Sequence, residues 1–254
     1  MTTLIAVHSF RGGTGKSNAT ANLAAVLAAQ GRRVAIVDTD IQSPGIHVLF
    51  GLDQDTIGHT LNHYLWGQCT MADAAHDVTP ETAVGAGGRV WLVPSSLKAH
   101  DIARVMREGY DVGLLNEGVR ALIADLELDV LLLDTHPGLV EETLLSLAMC
   151  NSLVIVLRPD QQDFEGTHVT LTVARRLKVP RIVLLVNKIP AAYDTEAVRE
   201  KVATTYGCEV AAALPHSEEL MELASAGILS VRRPDHPMTA MYQEVAATLM
   251  APAR

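Results

Sequence analysis

The stretch that most constrains the fold of this chain is Ser9-Phe10-Arg11-Gly12-Gly13-Thr14-Gly15-Lys16-Ser17. It lies between the apolar run Leu4-Ile5-Ala6-Val7 and an Ala/Leu-rich segment from Asn18 to Gln30. A strand that breaks into glycines and re-enters the fold as a helix is the context of a phosphate-binding loop. Gly12, Gly13 and Gly15 let successive backbone N–H groups turn toward one anion without Cβ clashes, and the following helix aims its N-terminal dipole at the same point. Thr14 and Asn18 complete the expected cradle. Lys16 is placed to neutralise β/γ-phosphate charge and Ser17 to ligate Mg²⁺. The general pattern G-x-x-x-x-G-K-[ST] is not met, because Phe10 stands at its first glycine.

Other aliphatic runs end in polar residues that would gather at the same sheet edge. Val34-Ala35-Ile36-Val37 delivers Asp38-Thr39-Asp40, and Val130-Leu131-Leu132-Leu133 delivers Asp134-Thr135-His136-Pro137-Gly138. Ligands of open α/β sheets bind at the carboxyl ends of the strands. Two carboxylates spaced by one residue beside a phosphate loop point to Mg²⁺ and water chemistry, and Asp134 reads as a second Mg²⁺-directed carboxylate. The Pro137-Gly138 turn is positioned to bring a backbone N–H onto a γ-phosphate and to relax after hydrolysis. His136, held in that turn, reads as a structural residue. Ile182-Val183-Leu184-Leu185-Val186 ends in Asn187-Lys188, whose amide is suited to reading a purine base.

Between these strands, helical periodicity is expected over Leu61–Trp66, Met71–His76, Leu97–Arg107, Val112–Leu126, Phe164–Leu177, Glu218–Ala226 and Thr239–Met250. Further strands are expected at Val90–Val93, Leu153–Leu157 and Val210–Ala213. The βαβα alternation predicts a three-layer α/β/α fold with a mostly parallel sheet, as one domain over 1–254. Aromatics are only 4% of the 254 residues against 48% hydrophobic residues overall, so the core is aliphatic, as a doubly covered parallel sheet requires. A net charge of −9 argues against a protein whose main surface is an electropositive groove. The three cysteines, Cys69, Cys150 and Cys208, are odd in number and far apart, which suits reduced thiols rather than a disulfide framework or a C-x-x-C metal site. Met1-Thr2-Thr3 has no basic leader, and no apolar run reaches the ~18 residues of a membrane span. A cytoplasmic protein is expected.

Taken together, Arg11-Gly12-Gly13-Thr14-Gly15-Lys16-Ser17, Asp38-Thr39-Asp40 and Asp134-Thr135-His136-Pro137-Gly138 resemble the variant Walker A, first switch and Walker B/second switch of the ParA/MinD P-loop ATPases. Val93-Pro94-Ser95, Glu165-Gly166, Asn187-Lys188 and the segment from Leu214-Pro215 through Ala224-Ser225-Ala226-Gly227 are also similar to that family. The resemblance implies an ATPase that binds Mg·ATP and dimerises face to face over two nucleotides. It would hydrolyse ATP slowly under a stimulating partner protein and position a cargo such as a replicon, a division site or a protein compartment. Carried over, it gives Lys16 the phosphates, Ser17 and Asp134 the Mg²⁺, Asp38 the metal's water shell and Asp40 the attacking water. Gly138 would sense the γ-phosphate, and Asn187 and Pro215 would border the adenine. The family's signature lysine is Arg11 here, and its planar guanidinium would reach across the dimer.

The same first-switch region also resembles iron–sulfur carrier ATPases, which bridge a cluster through a C-x-x-C pair that is absent here. A metabolic ligase or synthetase on the same fold is a further alternative, with the region from Leu61 to Ala83 as its candidate substrate segment. Met241 to Met250 contains no basic residue, which disfavours a MinD-like membrane helix. Arg175-Arg176-Leu177-Lys178 with Arg181, or Arg232-Arg233, would supply charge for non-specific DNA binding and nucleoid association.

Overall fold

Runs such as Leu131-Leu132-Leu133 and Leu153-Val154-Ile155-Val156-Leu157 are apolar without alternation, so a strand built from them must be covered on both faces. The computed structural model, which describes residues 2–53, 56–80, 83, 85–223 and 225–252, shows this arrangement. In chain order the elements are β1 (Thr3–His8), α1 (Lys16–Ala29), β2 (Arg33–Asp38), a 3₁₀ turn (Ile46–Phe50), α2 (Leu61–Leu65), β3 (His76–Asp77), β4 (Arg89–Val93), α3 (Ala99–Glu108), α4 (Val112–Asp125), β5 (Val130–Asp134), α5 (Glu141–Met149), β6 (Ser152–Leu157), α6 (Gln161–Arg176), β7 (Arg181–Ile189), α7 (Thr195–Tyr206), β8 (Glu209–Pro215), α8 (Glu218–Glu222), α9 (Leu229–Arg232) and α10 (Pro237–Met250).

One eight-stranded sheet runs in the order β3-β4-β2-β5-β1-β6-β7-β8. Every pairing is parallel except that of β3 with β4. On one face Ile5, Val7, Val34, Ile36 and Leu132 pack with α1, α9 and α10. On the other, Leu4, Ala6, Ala35, Val37 and Leu131 pack with residues of α2 through α7. The helix α1 is buried on nearly every side, from Ala19 through Ala28, because the sheet lies beneath it and α10 covers it. That explains why its sequence is almost free of charge.

Several boundaries differ from the sequence expectation. The first helix begins at Lys16 rather than Asn18, with Gly15 as its left-handed N-cap. The expected helix over Met71–His76 is instead a series of turns leading into β3, which pairs His76 with Leu92. A two-residue strand has no periodicity to detect. The expected Glu218–Ala226 helix is shortened to α8, with α9 following it; Ala224 lies outside the described residues. α7 was not expected at all.

Candidate active site at the phosphate loop

The loop between β1 and α1 leaves the carboxyl edge of the sheet with Gly13 at φ +79° and Gly15 at φ +95°. Both angles lie in the left-handed region that glycine alone adopts freely. A side chain at Gly15 would also bring its Cβ within 2.4 Å of Asn187 Nδ2. That amide supports the loop from β7: Asn187 Nδ2 donates to the Thr14 carbonyl at 2.8 Å, and its Oδ1 accepts from the Lys188 N–H at 2.9 Å. Lys188 Nζ adds a bond to the Gly13 carbonyl at 2.8 Å. Each end of the Asn187 amide therefore makes one bond to the loop or its neighbour, leaving its second N–H and second oxygen lone pair for the base reading expected of it.

The carboxylates converge as the strand ends predicted. Asp38 and Asp134 are register partners on the adjacent strands β2 and β5. Lys16 Nζ donates to Asp134 Oδ1 at 2.9 Å and stands 4.0 Å from Asp40 Oδ2. Thr20, one turn beyond Lys16 on the same helix face, places its hydroxyl 2.9 Å from Asp134 Oδ1. Asp38 Oδ1 accepts the Asp40 N–H at 3.0 Å, while its Oδ2 is buried with no hydrogen-bond partner among the described residues. Burial pushes the Asp38 carboxyl well above the usual carboxylate range; the charge of Asp134 adds to the rise and that of Lys16 opposes it. A buried carboxylate oxygen without a partner is costly unless a proton or cation meets it. An all-oxygen group of Ser17, Asp38 and Asp134 has the donor chemistry of Mg²⁺, so these residues fit the ion that the sequence implies.

Asp40 has a partner that the sequence did not reveal. Its Oδ1 accepts from His136 Nδ1 at 2.6 Å and from the Ser43 N–H at 3.2 Å. Gly138, whose N–H was expected to meet a γ-phosphate, donates it here to the Ser9 carbonyl at 3.1 Å, tying the second switch to the phosphate loop. At the loop's outer rim, Arg11 Nη1 lies 3.4 Å from Asp163 and 3.6 Å from Asp160, at the start of α6. Asp163 is also held by Arg158 Nε at 3.0 Å. Phe10 packs on the same helix, where a Cβ at Gly166 would meet its ring at 2.3 Å. The large residue at the expected glycine position therefore has a seat made for it.

A depression of about 260 Å³ is lined by Ser9, Gly12, Gly13, Thr14, Gly15 and Lys16, among others. Ser17, Asn18, Asp40 and Pro137 complete its wall, and Lys188 closes it toward a cavity of about 690 Å³ walled by Pro190, His216, Glu218, Glu219 and Glu222. Pro215 ends β8; Lys188 and His216, the neighbours of Asn187 and Pro215, are among the residues that line this second cavity. Thr20, His136, Lys188 and the Arg158/Asp163 pair were missed as site residues. Only Thr20 left a signal, a hydroxyl four residues after the loop lysine. Of the expected basic patch, Arg175 donates to the Tyr206 carbonyl and Arg181 to the Ala251 carbonyl and Glu209.

A glycine cradle at the switch point of a parallel sheet, with a lysine and strand-end carboxylates converging on it, defines a P-loop nucleotide-binding protein. The ParA family model, described as NUBPL iron-transfer P-loop NTPase, matches residues 1–250, and the chain belongs to that family. An uncharacterized ATP-binding protein of Methanocaldococcus jannaschii is 28% identical over 251 residues, covering 98% of this chain and 88% of that protein. An iron–sulfur cluster carrier protein of Pseudomonas fragi is 29% identical over 266 residues, covering 96% of this chain and 84% of its own. Among solved structures, the septum site-determining protein MinD of Pyrococcus horikoshii, complexed with Mg-ADP, superposes with a TM-score of 0.81 at 22% identity. The match covers 98% of this chain and 96% of that one.

Proposed function

We propose that the chain is an ATP-hydrolysing switch that dimerises with Mg·ATP and positions or partitions an intracellular cargo, its turnover raised by a stimulating partner protein. The observation that carries this reading is Lys16, whose ammonium joins Asp134 and approaches Asp40, the ends of the two switch segments. A triphosphate that claims this ammonium changes the partners of both segments at once, so the loops register which nucleotide is bound. Mg²⁺, held by Ser17 and Asp134 with Asp38 behind them, would supply charge neutralisation on the phosphates. Lys16 and the loop amides bind the phosphates, and Asp40 orients a water. The water's oxygen bonds to the γ-phosphorus as the bridging P–O bond breaks; ADP departs with the bonding electrons and the water's proton leaves with inorganic phosphate or to solvent.

The MinD structure named for its Mg-ADP complex supports the nucleotide and the ion. Among the described residues no helix is long and apolar enough to cross a membrane, and the apolar face of α10 is spent on α1, in keeping with a switch that needs another matrix. Light scattering in Mg²⁺ buffer tests the reading: ATP converts the wild type from monomer to dimer, ADP does not, and Lys16→Ala stays monomeric with either. A wild type that remains monomeric in ATP, with turnover prevented by a non-hydrolysable analogue, overturns it.

The relative named as an iron–sulfur cluster carrier favours a second reading, in which the same ATPase hands on a cluster. Cluster iron needs thiolate ligands. Burial pushes the Cys150 thiol up to about 12, and Cys208, also raised, donates to the Ile182 carbonyl. Iron and sulfide bound stoichiometrically to anaerobically purified protein would establish the carrier.

A further inference from the structure

We infer that His136 is a positioning residue for ATP hydrolysis, setting the rotation of the Asp40 carboxylate so that one oxygen faces the phosphate pocket. The inference rests on the reading of Asp40 as the residue that orients the attacking water. The two oxygens of Asp40 have different surroundings. Oδ1 is occupied from behind by His136 Nδ1 at 2.6 Å and by the Ser43 N–H at 3.2 Å. Oδ2 is the oxygen turned toward Lys16, at 4.0 Å, and thus toward the depression that the loop lines. Only the imidazole among these partners comes from the second switch, so it couples the carboxylate of one segment to the backbone of the other.

The imidazole is well anchored for this task. Just before it, the Thr135 N–H and Oγ1 both donate to the Val7 carbonyl of β1, at 3.2 and 3.0 Å. The carbonyl of His136 itself accepts from Thr143 Oγ1, in the first turn of α5, at 3.2 Å. With its backbone fixed to a central strand on one side and a helix on the other, the ring presents Nδ1 at a defined point. A carboxylate accepts from that atom only if Nδ1 carries the proton, which holds for the Nδ1–H tautomer and for the imidazolium alike. The bond therefore needs no change of protonation. Orientation of this kind acts on the reacting geometry rather than on nucleotide affinity, and misplacement by about 1 Å costs on the order of 10²-fold in rate.

Single-turnover hydrolysis of radiolabelled ATP, with the protein in excess and Mg²⁺ present, tests the assignment beside fluorescent-nucleotide titration of the same variants. His136→Ala is expected to bind ATP within about twofold of wild type and to hydrolyse it at least ~10-fold more slowly. Asn at 136 carries an N–H donor at nearly the position of Nδ1, so His136→Asn recovers most of the rate and His136→Leu does not. In Asp40→Ala the further change His136→Ala has no added effect, because the two act as one unit. Wild-type turnover in His136→Ala overturns the inference, and so does an Asn variant as slow as the Ala variant. If Asp40→Ala itself hydrolyses normally, the parent reading of Asp40 fails instead. Loss of turnover in Asp40→Ala with none in His136→Ala removes the positioning role alone.

Discussion

His8 ends β1 one residue before the phosphate loop, fully buried. The Thr135 hydroxyl already donates to Val7, so His8 Nδ1 must be the donor in its 2.8 Å contact with Thr135 Oγ1, which leaves Nε2 bare and without a partner among the described residues. Burial, then the charges of Lys16 and His136, hold the imidazole down at about 3 from its usual 6.5. Above pH 6.5 the ring is neutral folded or unfolded and contributes no pH dependence. Below that, the unfolded chain takes up a proton that the buried ring refuses until about pH 3, so stability falls through this window, by up to about 1.4 kcal/mol per pH unit. His8→Asn keeps a donor toward Thr135 and removes the titration; its urea midpoint should fall less between pH 7 and 5 than that of wild type. Equal losses in the two proteins would show that His8 does not set the acid limit. At this scale the sequence was readable for placement, as for Lys16 at the start of α1 and Asp134 at the end of β5. It was silent where the job depends on a neighbour distant in the chain: Asp40 and His136 are 96 positions apart, and nothing local to Thr135-His136-Pro137 marks that meeting.

Strands were legible in proportion to their length, whereas α7, twelve residues long, was not expected. The strands ending in Asp38 and Asp134 announced themselves, as did the aliphatic run of β7 before Asn187, since in an α/β chain a long aliphatic run closed by a polar residue is the pattern of a central strand reaching the sheet edge. β3 and α9 are too short for any period to emerge, and they exist because tertiary neighbours complete them. The glycine turn before β4 shows a further limit. From sequence Gly85-Ala86-Gly87-Gly88 reads as a simple reversal, but in the structure it crosses the end of α1. There a Cβ on Gly88 would stand 1.8 Å from the Ala28 carbonyl oxygen. Backbone cannot yield as a side chain can, so Gly88→Ala should destabilise by roughly 2–4 kcal/mol, seen as a lower urea midpoint at unchanged slope. Gly85→Ala, where a Cβ meets open space, is the control and should stay within about 0.5 kcal/mol. If both variants unfold alike, the close crossing is not what selects glycine at 88.

For the whole molecule, the decisive residue is Arg11, because the proposed dimer needs it on the partner's side of the interface. Within one chain it rests against Asp160 and Asp163, 39% exposed, while the buried Asp163 keeps Arg158 as a stronger partner. Releasing Arg11 thus leaves no buried charge alone, and a loose contact at 3.4–3.6 Å whose cation is largely solvated contributes about 0–1 kcal/mol. Arg11→Ala should therefore unfold within about 1 kcal/mol of wild type and bind ATP as a monomer, yet fail to dimerise in sedimentation runs with Mg·ATP. Dimerisation at wild-type protein concentrations would assign Arg11 to its local pair and not to a partner.

Such a device needs something that stays still. The helix α1 is held by the sheet beneath, by α10 above, by Gly88 against its last turn, and by Asn22, whose Oδ1 accepts the Ser230 N–H at 2.9 Å. An anion landing on its first turn meets a body that is braced on every side. In the proposed switch the response to a nucleotide therefore falls not on the helix but on the carboxylates that meet Lys16 from the ends of β2 and β5. On the proposed function, the helix that would grip the nucleotide is a fixed pivot, and what it drives is read out by the side chains at the strand ends around it.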